Sequence, residues 1–219
     1  MSNPGEQPHQ VGTDPQTVIE RGFDAADLPL VAGLYDEAFG AKIAVAIPDP
    51  AARRAVIEAG LRPGHSLVAK RGSTVIGVAG FQDASGAFTG GITPASLRRE
   101  LGIRRAVRAL LVLSLLERRA GSGVLLMDGI AVSEQYRGEG AGSALLRALI
   151  AYARSSGYRS IRLDVIDTNV AARRLYEQIG FVPTRTSHFP YLRWLLGFGA
   201  STQMVFRVAD HPATAPIAG

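Results

Sequence analysis

Between Ile130 and Gly142 an apolar run stops, three glycines fall within five residues, and a helix-forming stretch begins at once. No other feature restricts the fold so much. Glycines lower the cost of a tight turn and let an anion approach the backbone, while a helix start aims several N–H groups at one point. The segment Val132-Ser133-Glu134-Gln135-Tyr136-Arg137-Gly138-Glu139-Gly140-Ala141-Gly142 therefore reads as a strand, a pyrophosphate-sized cradle and a helix. A P-loop requires Gly-Lys-Ser/Thr, and the chain has Gly142-Ser143-Ala144. A dinucleotide fingerprint needs glycine where Ser143 stands, in an early βαβ unit, whereas this loop lies past mid-chain. A plain turn joining strand to helix is the bland alternative.

The flanking pattern places this loop in one α/β (α+β) domain over 14–209 with a mixed central sheet flanked by helices. A strand is expected at Thr17–Phe23, then a helix capped by Asp24 and closed after Phe39 by Gly40. A second helix follows at Pro50–Ala59, and His65–Lys70 with Thr74–Phe81 form a hairpin about Arg71-Gly72-Ser73. Thr93-Pro94 opens an extra helical insert before the fourth strand, running to about Arg119 with a bend at Gly102. Val124–Val132 is a buried-type strand, and Leu145, Leu146, Leu149, Ile150 and Ala153 form one stripe of the helix after the loop. Ser160–Ile166 alternates as a strand, Asn169 caps a helix stopped by Gly180, and Phe181–Ser187 and Ser201–Val208 close the sheet. Residues 1–13 and 210–219 read as disordered tails.

At 219 residues, with 47% apolar and 20% charged side chains, the chain is sized for a single globular core. The polar start lacks the apolar core of a secretory signal, and Ala109–Leu116 is too short to span a bilayer. A soluble cytoplasmic protein without stable membrane insertion is expected. The absence of cysteine excludes disulfides, thiolate metal sites and a cysteine acyl carrier. Most of the net charge of +5 arises between Arg98 and Arg119, where seven arginines face only Glu100 and Glu117. Such a field suits acidic lipid or a polyphosphate better than nucleic acid, since no aromatic interleaving or reading motif accompanies it. The same segment is apolar enough to predict a packed helix, in its own core or against a second subunit, rather than a membrane-surface one.

The pattern Arg/Gln-x-x-Gly-x-Gly/Ala, met by Arg137, Gly140 and Gly142, resembles the coenzyme A loop of the GNAT superfamily. Downstream, Asn169-Val170-Ala171-Ala172-Arg173-Arg174-Leu175-Tyr176-Glu177-Gln178-Ile179-Gly180-Phe181 is similar to that family's N-x-x-A-x-x-x-Y-x-x-x-G-F segment. The resemblance covers 124–208 well and implies a GNAT-type acyltransferase domain. It implies that the backbone of Arg137, Gly138, Glu139, Gly140, Ala141, Gly142 and Ser143 holds the pyrophosphate of acetyl-CoA. It also implies that Ile130, Ala131 and Val132 splay from the neighbouring strand, pair with the pantetheine arm, and polarise the thioester carbonyl through an N–H. Asn169 would then contact the pantetheine and Tyr176 would lie near the thioester sulfur.

Taken alone, Asn169 is an adequate helix cap and Tyr176 a core tyrosine; the loop upstream at the family's spacing favours their functional reading. Asp128, two residues before Ile130, matches a place where some family members carry a base, though a structural hydrogen bond would satisfy it equally. His9, His65, His188 and His211 do not cluster, so no metal is expected. Without a cysteine, direct attack of an amine on acetyl-CoA in a ternary complex is the implied route. The alternative is a catalytically silent acyl-CoA sensor. The resemblance implies that the acceptor, a small-molecule or peptide amine, meets 35–60 and the aromatic insert 188–198. That insert and the segment 94–119 either wall a hydrophobic pocket or build a homodimer, with plain burial the simpler alternative.

Overall fold

The structure, a computed structural model, describes residues 16–114, 121–189 and 197–208. Strand β1 (Thr17–Arg21) leads to helices α1 (Leu28–Ala44) and α2 (Pro50–Gly60) and a 3₁₀ turn at Pro63–His65. Strands β2 (Ser66–Arg71), β3 (Thr74–Asp83) and the two-residue β4 (Gly86–Ala87) precede helices α3 (Pro94–Leu101) and α4 (Ile103–Ser114). Then come β5 (Val124–Val132), a 3₁₀ turn at Glu134–Tyr136, α5 (Ala141–Ser155), β6 (Ser160–Ile166), α6 (Val170–Ile179), β7 (Val182–His188) and β8 (Ala200–Arg207). The sheet order is β1-β2-β3-β5-β6-β8-β7, with β4 hydrogen-bonded to β3. Among the described residues only the β5–β6 contact is parallel, so the sheet is mixed as expected.

Both faces of the middle strands are covered, which is why β3 is buried almost throughout instead of alternating. On one face α5 lays Leu145, Leu146 and Leu149 against Phe81, Leu125 and Ile161, and this core continues to Met204 and Phe206 of β8. On the other face α1, α2, α3 and α4 cover β2, β3 and β5 through Val31, Ile57, Leu97 and Ala109. At Gly80 a Cβ would stand 2.7 Å from Phe88 Cγ, inside a fully buried ring. Gly80→Ala should therefore overpack this core and cost about 1–3 kcal/mol, a fall of about 2–10 °C by calorimetry.

Local signals placed several elements well. Thr93 caps α3 through a reciprocal bond with Ser96, Pro94 stands in the first turn, and the β2–β3 hairpin turns on Gly72 at φ +59°. Three readings need correction. Helix α1 begins at Leu28, not after Asp24: Asp27 stands at the N-cap position and Pro29 in the first turn, and the Asp27 side chain makes no cap bond but pairs with Lys70 at 3.0 Å. Gly40 does not stop α1 but lies buried within it. A side chain there would strike Asp36, whose carboxylate takes two hydrogen bonds from Arg53 of α2 at 2.6 and 3.3 Å. The insert is broken outright at Gly102, φ +73°, into α3 and α4, and α4 is packed on one side only: Ala106 and Ala109 are buried, whereas Ile103, Val107, Leu110 and Leu111 are exposed. The proposed tails, 115–119 of the insert and 190–196 of the aromatic insert lie outside the described residues.

Candidate active site

The apolar stripe of α5 fixes the helix on the sheet, burying Ala141 and half-burying 142–144, and leaves 138–140 exposed at its start, beside the end of β5. Gly140 occupies the N-cap position with φ +87°, and Gly138 has φ +86°. Both values belong to the left-handed region, which a side chain makes costly. Around each, the space a Cβ would take is open to 4 Å. The first intrahelical bond to Gly140 O comes from Ala144, so the amides of Ala141, Gly142 and Ser143 precede the helical ladder. Gly142 serves a different purpose: its Cβ would press on Leu175 Cδ2 at 3.2 Å and Val132 Cγ2 at 3.9 Å. Its bareness brings β5, α5 and α6 together at one point.

The strand entering this point has lost its neighbour. β5 pairs with β6 only through Val124–Ser160, Leu125–Ile161 and Leu126–Arg162. Beyond Leu126, β5 continues with β3 alone and β6 with β8 alone, so a wedge opens between Met127–Val132 and Leu163–Ile166. A strand edge inside a sheet offers unused N–H and C=O groups, and an extended chain bearing amides can complete them. This is the splay that the resemblance implied for Ile130, Ala131 and Val132.

Two cations hold the loop from outside. Arg71, at the end of β2, pairs with Glu139 at 2.5 Å and lies 5.1 Å above the Tyr136 ring. Arg137 donates to Val132 O at 3.2 Å and to Glu37 of α1 at 2.7 Å, so its side chain ties the loop to α1 and not to the open cradle. Phe39 of the same helix lies against Gly129, whose missing Cβ makes the contact possible. Arg71, Glu37 and Phe39 were not singled out from the sequence; no local pattern announces partners so far apart in the chain.

The sequence profile of the acetyltransferase (GNAT) family matches residues 31–181. The chain belongs to the GNAT family. Among relatives, it is 38% identical over 63 residues to the uncharacterized N-acetyltransferase YobR of Bacillus subtilis, covering 29% of this chain and 26% of that protein. With rat N-acetyltransferase 8B it shares 35% over 77 residues, 35% of this chain and 34% of the other. The chain thus spans about a third or less of the length of these relatives. A GCN5-related N-acetyltransferase from Kribbella flavida has the same fold, with TM-score 0.58 at 19% identity over 87% of this chain and 97% of that one. So does yncA of Salmonella typhimurium, solved with acetyl-CoA, with TM-score 0.55 at 20% identity over 91% and 98%.

In this GNAT domain Asn169 accepts the Ala172 N–H at 3.0 Å, which makes it the cap of α6. Tyr176 is buried beside Phe181, with ring centroids 5.9 Å apart, and belongs to the same core as Ile130 and Val132. Burial pushes its phenol well above the ordinary tyrosine value, so it stays protonated at neutral pH. Asp128 stands at a β-bulge, where the register slips so that Gly129 faces Gly80 and Met127 faces Phe81. The bulge leaves Asp128 as the extra residue two positions past the last β5–β6 pair, near the closed end of the wedge, and bulges re-aim side chains in this way. Glu134 is exposed in the 3₁₀ turn.

A second polar cluster resembles a hydrolase triad by composition and differs from one by geometry. His65 Nε2 lies 3.1 Å from Ser85 Oγ and 3.3 Å from Asp83 Oδ1, so one ring nitrogen faces both partners. Ser85 Oγ donates directly to Asp83 at 2.6 Å, and the Ser85 and Gly86 amides donate to the same oxygen. This is a turn built on a carboxylate, not an activated serine. Burial raises the Asp83 pKa, but the bonds from Ser85 and the charge of His65 outweigh it, and the net shift is downward. A lowered folded value adds stability above the unfolded carboxylate value and loses it as pH falls through the folded one. The melting-temperature gap between parent and Asp83→Asn should therefore be largest near pH 6 and shrink below about pH 4. No group of acidic or histidine side chains suited to a metal occurs among the described residues.

Proposed function

We propose that this GNAT protein moves an acetyl or other acyl group from acetyl-CoA to an amine by direct attack within a ternary complex. The observation that carries the proposal is the wedge between β5 and β6, which opens where the first turn of α5 presents its free amides. A pyrophosphate fits that turn, because the glycine flanks are bare and the helix start favours negative charge. A pantetheine arm carries amides that match the open edge of β5. When bound, acetyl-CoA supplies the activated thioester.

The remaining work falls to the chain's own residues. A backbone N–H at Ile130–Val132 polarises the acyl oxygen, Asp128 takes a proton from the incoming ammonium, and Tyr176 gives one to the departing sulfur. Asn169 steadies the pantetheine while capping α6. In titration calorimetry, CoA should bind the parent protein and weaken as salt rises. Absence of heat, with no competition by CoA on folded protein, would sink the proposal. An amine panel offered acetyl-CoA and longer acyl-CoAs, read by free thiol, then separates catalysis from a silent acyl-CoA sensor. Binding without thiol release above the hydrolytic background for any amine favours the sensor.

A further inference from the structure

Helix α4 has three faces, and only one is accounted for by the fold. Ala106 and Ala109 are buried on the core. Ile103, Val107, Leu110 and Leu111 are spaced i, i+4, i+7 and i+8, so they form one stripe, and they are 61%, 55%, 41% and 66% exposed. Half of the exposed large hydrophobic side chains among the described residues sit in this stripe, which makes it a patch and not scatter. Arg104, Arg105 and Arg108 run along its flank, with Arg98 and Arg99 on α3 just before it, and all five are exposed. Among the described residues only Arg99 of these has an acidic partner, Glu100 at 2.8 Å.

We propose that α4 docks this protein on an anionic phospholipid surface, with the aliphatic stripe among the acyl chains and the arginines on the phosphates. The two stripes answer to two different materials, and an anionic bilayer offers both at one boundary. A nucleic acid would satisfy the arginines but leave four aliphatic side chains against a phosphate backbone. A second copy would cover the aliphatics poorly. The stripe offers on the order of 400 Å² of apolar surface, about half of what one partner contributes to a stable interface. It would also bring two unneutralised arginine rows together. The contact is peripheral, since no helix among the described residues is long and apolar enough to cross a membrane. Because α4 and α5 lie on opposite faces of the sheet, the docked protein keeps the α5 layer turned to water.

Sedimentation of the full chain with vesicles tests this directly, using phosphatidylcholine alone and phosphatidylcholine mixed with phosphatidylglycerol. Partitioning to the mixed vesicles should exceed that to the neutral ones at least ten-fold at low salt and fall as salt rises. Each arginine contributes about five-fold at such a surface, so Arg104→Gln with Arg108→Gln should lower partitioning about twenty-five-fold. Val107→Ser with Leu111→Ser should lower it at least ten-fold with an unchanged melting temperature, since both side chains are exposed in the parent. Equal or absent partitioning to the two vesicle types overturns the proposal. So does a serine variant that binds like the parent, which would mean charge alone. A dimer that the serine pair dissociates, or duplex DNA bound by a protein that ignores vesicles, assigns the face to another occupant and overturns it as well.

Discussion

Gly140→Val is expected to abolish measurable CoA binding, while Gly157→Val, at the other end of the same helix, leaves it intact. The two positions are matched in backbone: φ is +87° at Gly140 and +75° at Gly157, and around both the space for a Cβ is open. A side chain in this region costs about 1–2 kcal/mol, somewhat more when β-branched, so both variants should melt several degrees lower. Simple retention of stability at Gly140 is thus not expected, and the strain is a reason for the paired comparison. What differs is location. Gly140 precedes the free amides of α5, whereas Gly157 lies beyond its last turn, about 22 Å away for a helix of 15 residues. Displacing two charge-assisted bonds at about 1.5–3 kcal/mol each predicts a loss of about a hundred-fold or more. Titration calorimetry on both variants decides it. Equal affinity in the two would mean that the pyrophosphate does not use this turn.

Tyr176→Phe is expected to lower turnover by about 10²–10⁴-fold, the usual contribution of a positioned general acid. Phenylalanine keeps the ring that packs beside Phe181 and removes only the O–H. The buried phenol keeps its proton at neutral pH, which excludes it as a base there and leaves an O–H that can be offered to the sulfur, although burial makes it a weaker acid than an exposed tyrosine. CoA affinity should change little, because the ring remains and the pyrophosphate would be held by backbone amides of the α5 turn, which the substitution leaves untouched. The measurement needs an acceptor from the amine panel, then steady-state rates and CoA titrations on both proteins. Parental turnover in the variant would reduce Tyr176 to a packing residue.

Features determined within a few residues of chain were legible before the structure. Asn169 caps α6 with a bond to a residue three positions on, and Thr93 with Ser96 starts α3 in the same way. The strand–glycine–helix order survived for the same reason. Glycine after an apolar run is a sound local stop signal, yet Gly40 lies inside α1, where the carboxylate of Asp36, held by Arg53 of another helix, takes the space of a side chain. The β5–β6 wedge has no local signature, since nothing read along β5 says where its pairing with a distant strand stops; it is anticipated through resemblance alone. The Arg137–Glu37 bond joins residues 100 positions apart and falls beyond any pattern read along the chain. Helix α4 was expected to be buried because it is rich in leucine and valine. Its burial is limited by geometry, as the core beneath takes only the side that carries Ala106, Ala109, Val112 and Leu113.

The short seam between β5 and β6 also divides the molecule as a mechanical object. Residues 17–132 build β1 to β5 and 160–207 build β6 to β8, so each side of the seam is one continuous stretch of chain. Three residue pairs join them within the sheet, against seven between β6 and β8. The α5 layer spans the joint from one face only. The two halves are therefore hinged like the covers of a book whose spine is α5. Amide exchange should be least protected along the seam and well protected inside either cover. A ligand laid in the wedge would act as a clasp, and its binding would slow exchange on both sides at once, far from any atom it touches.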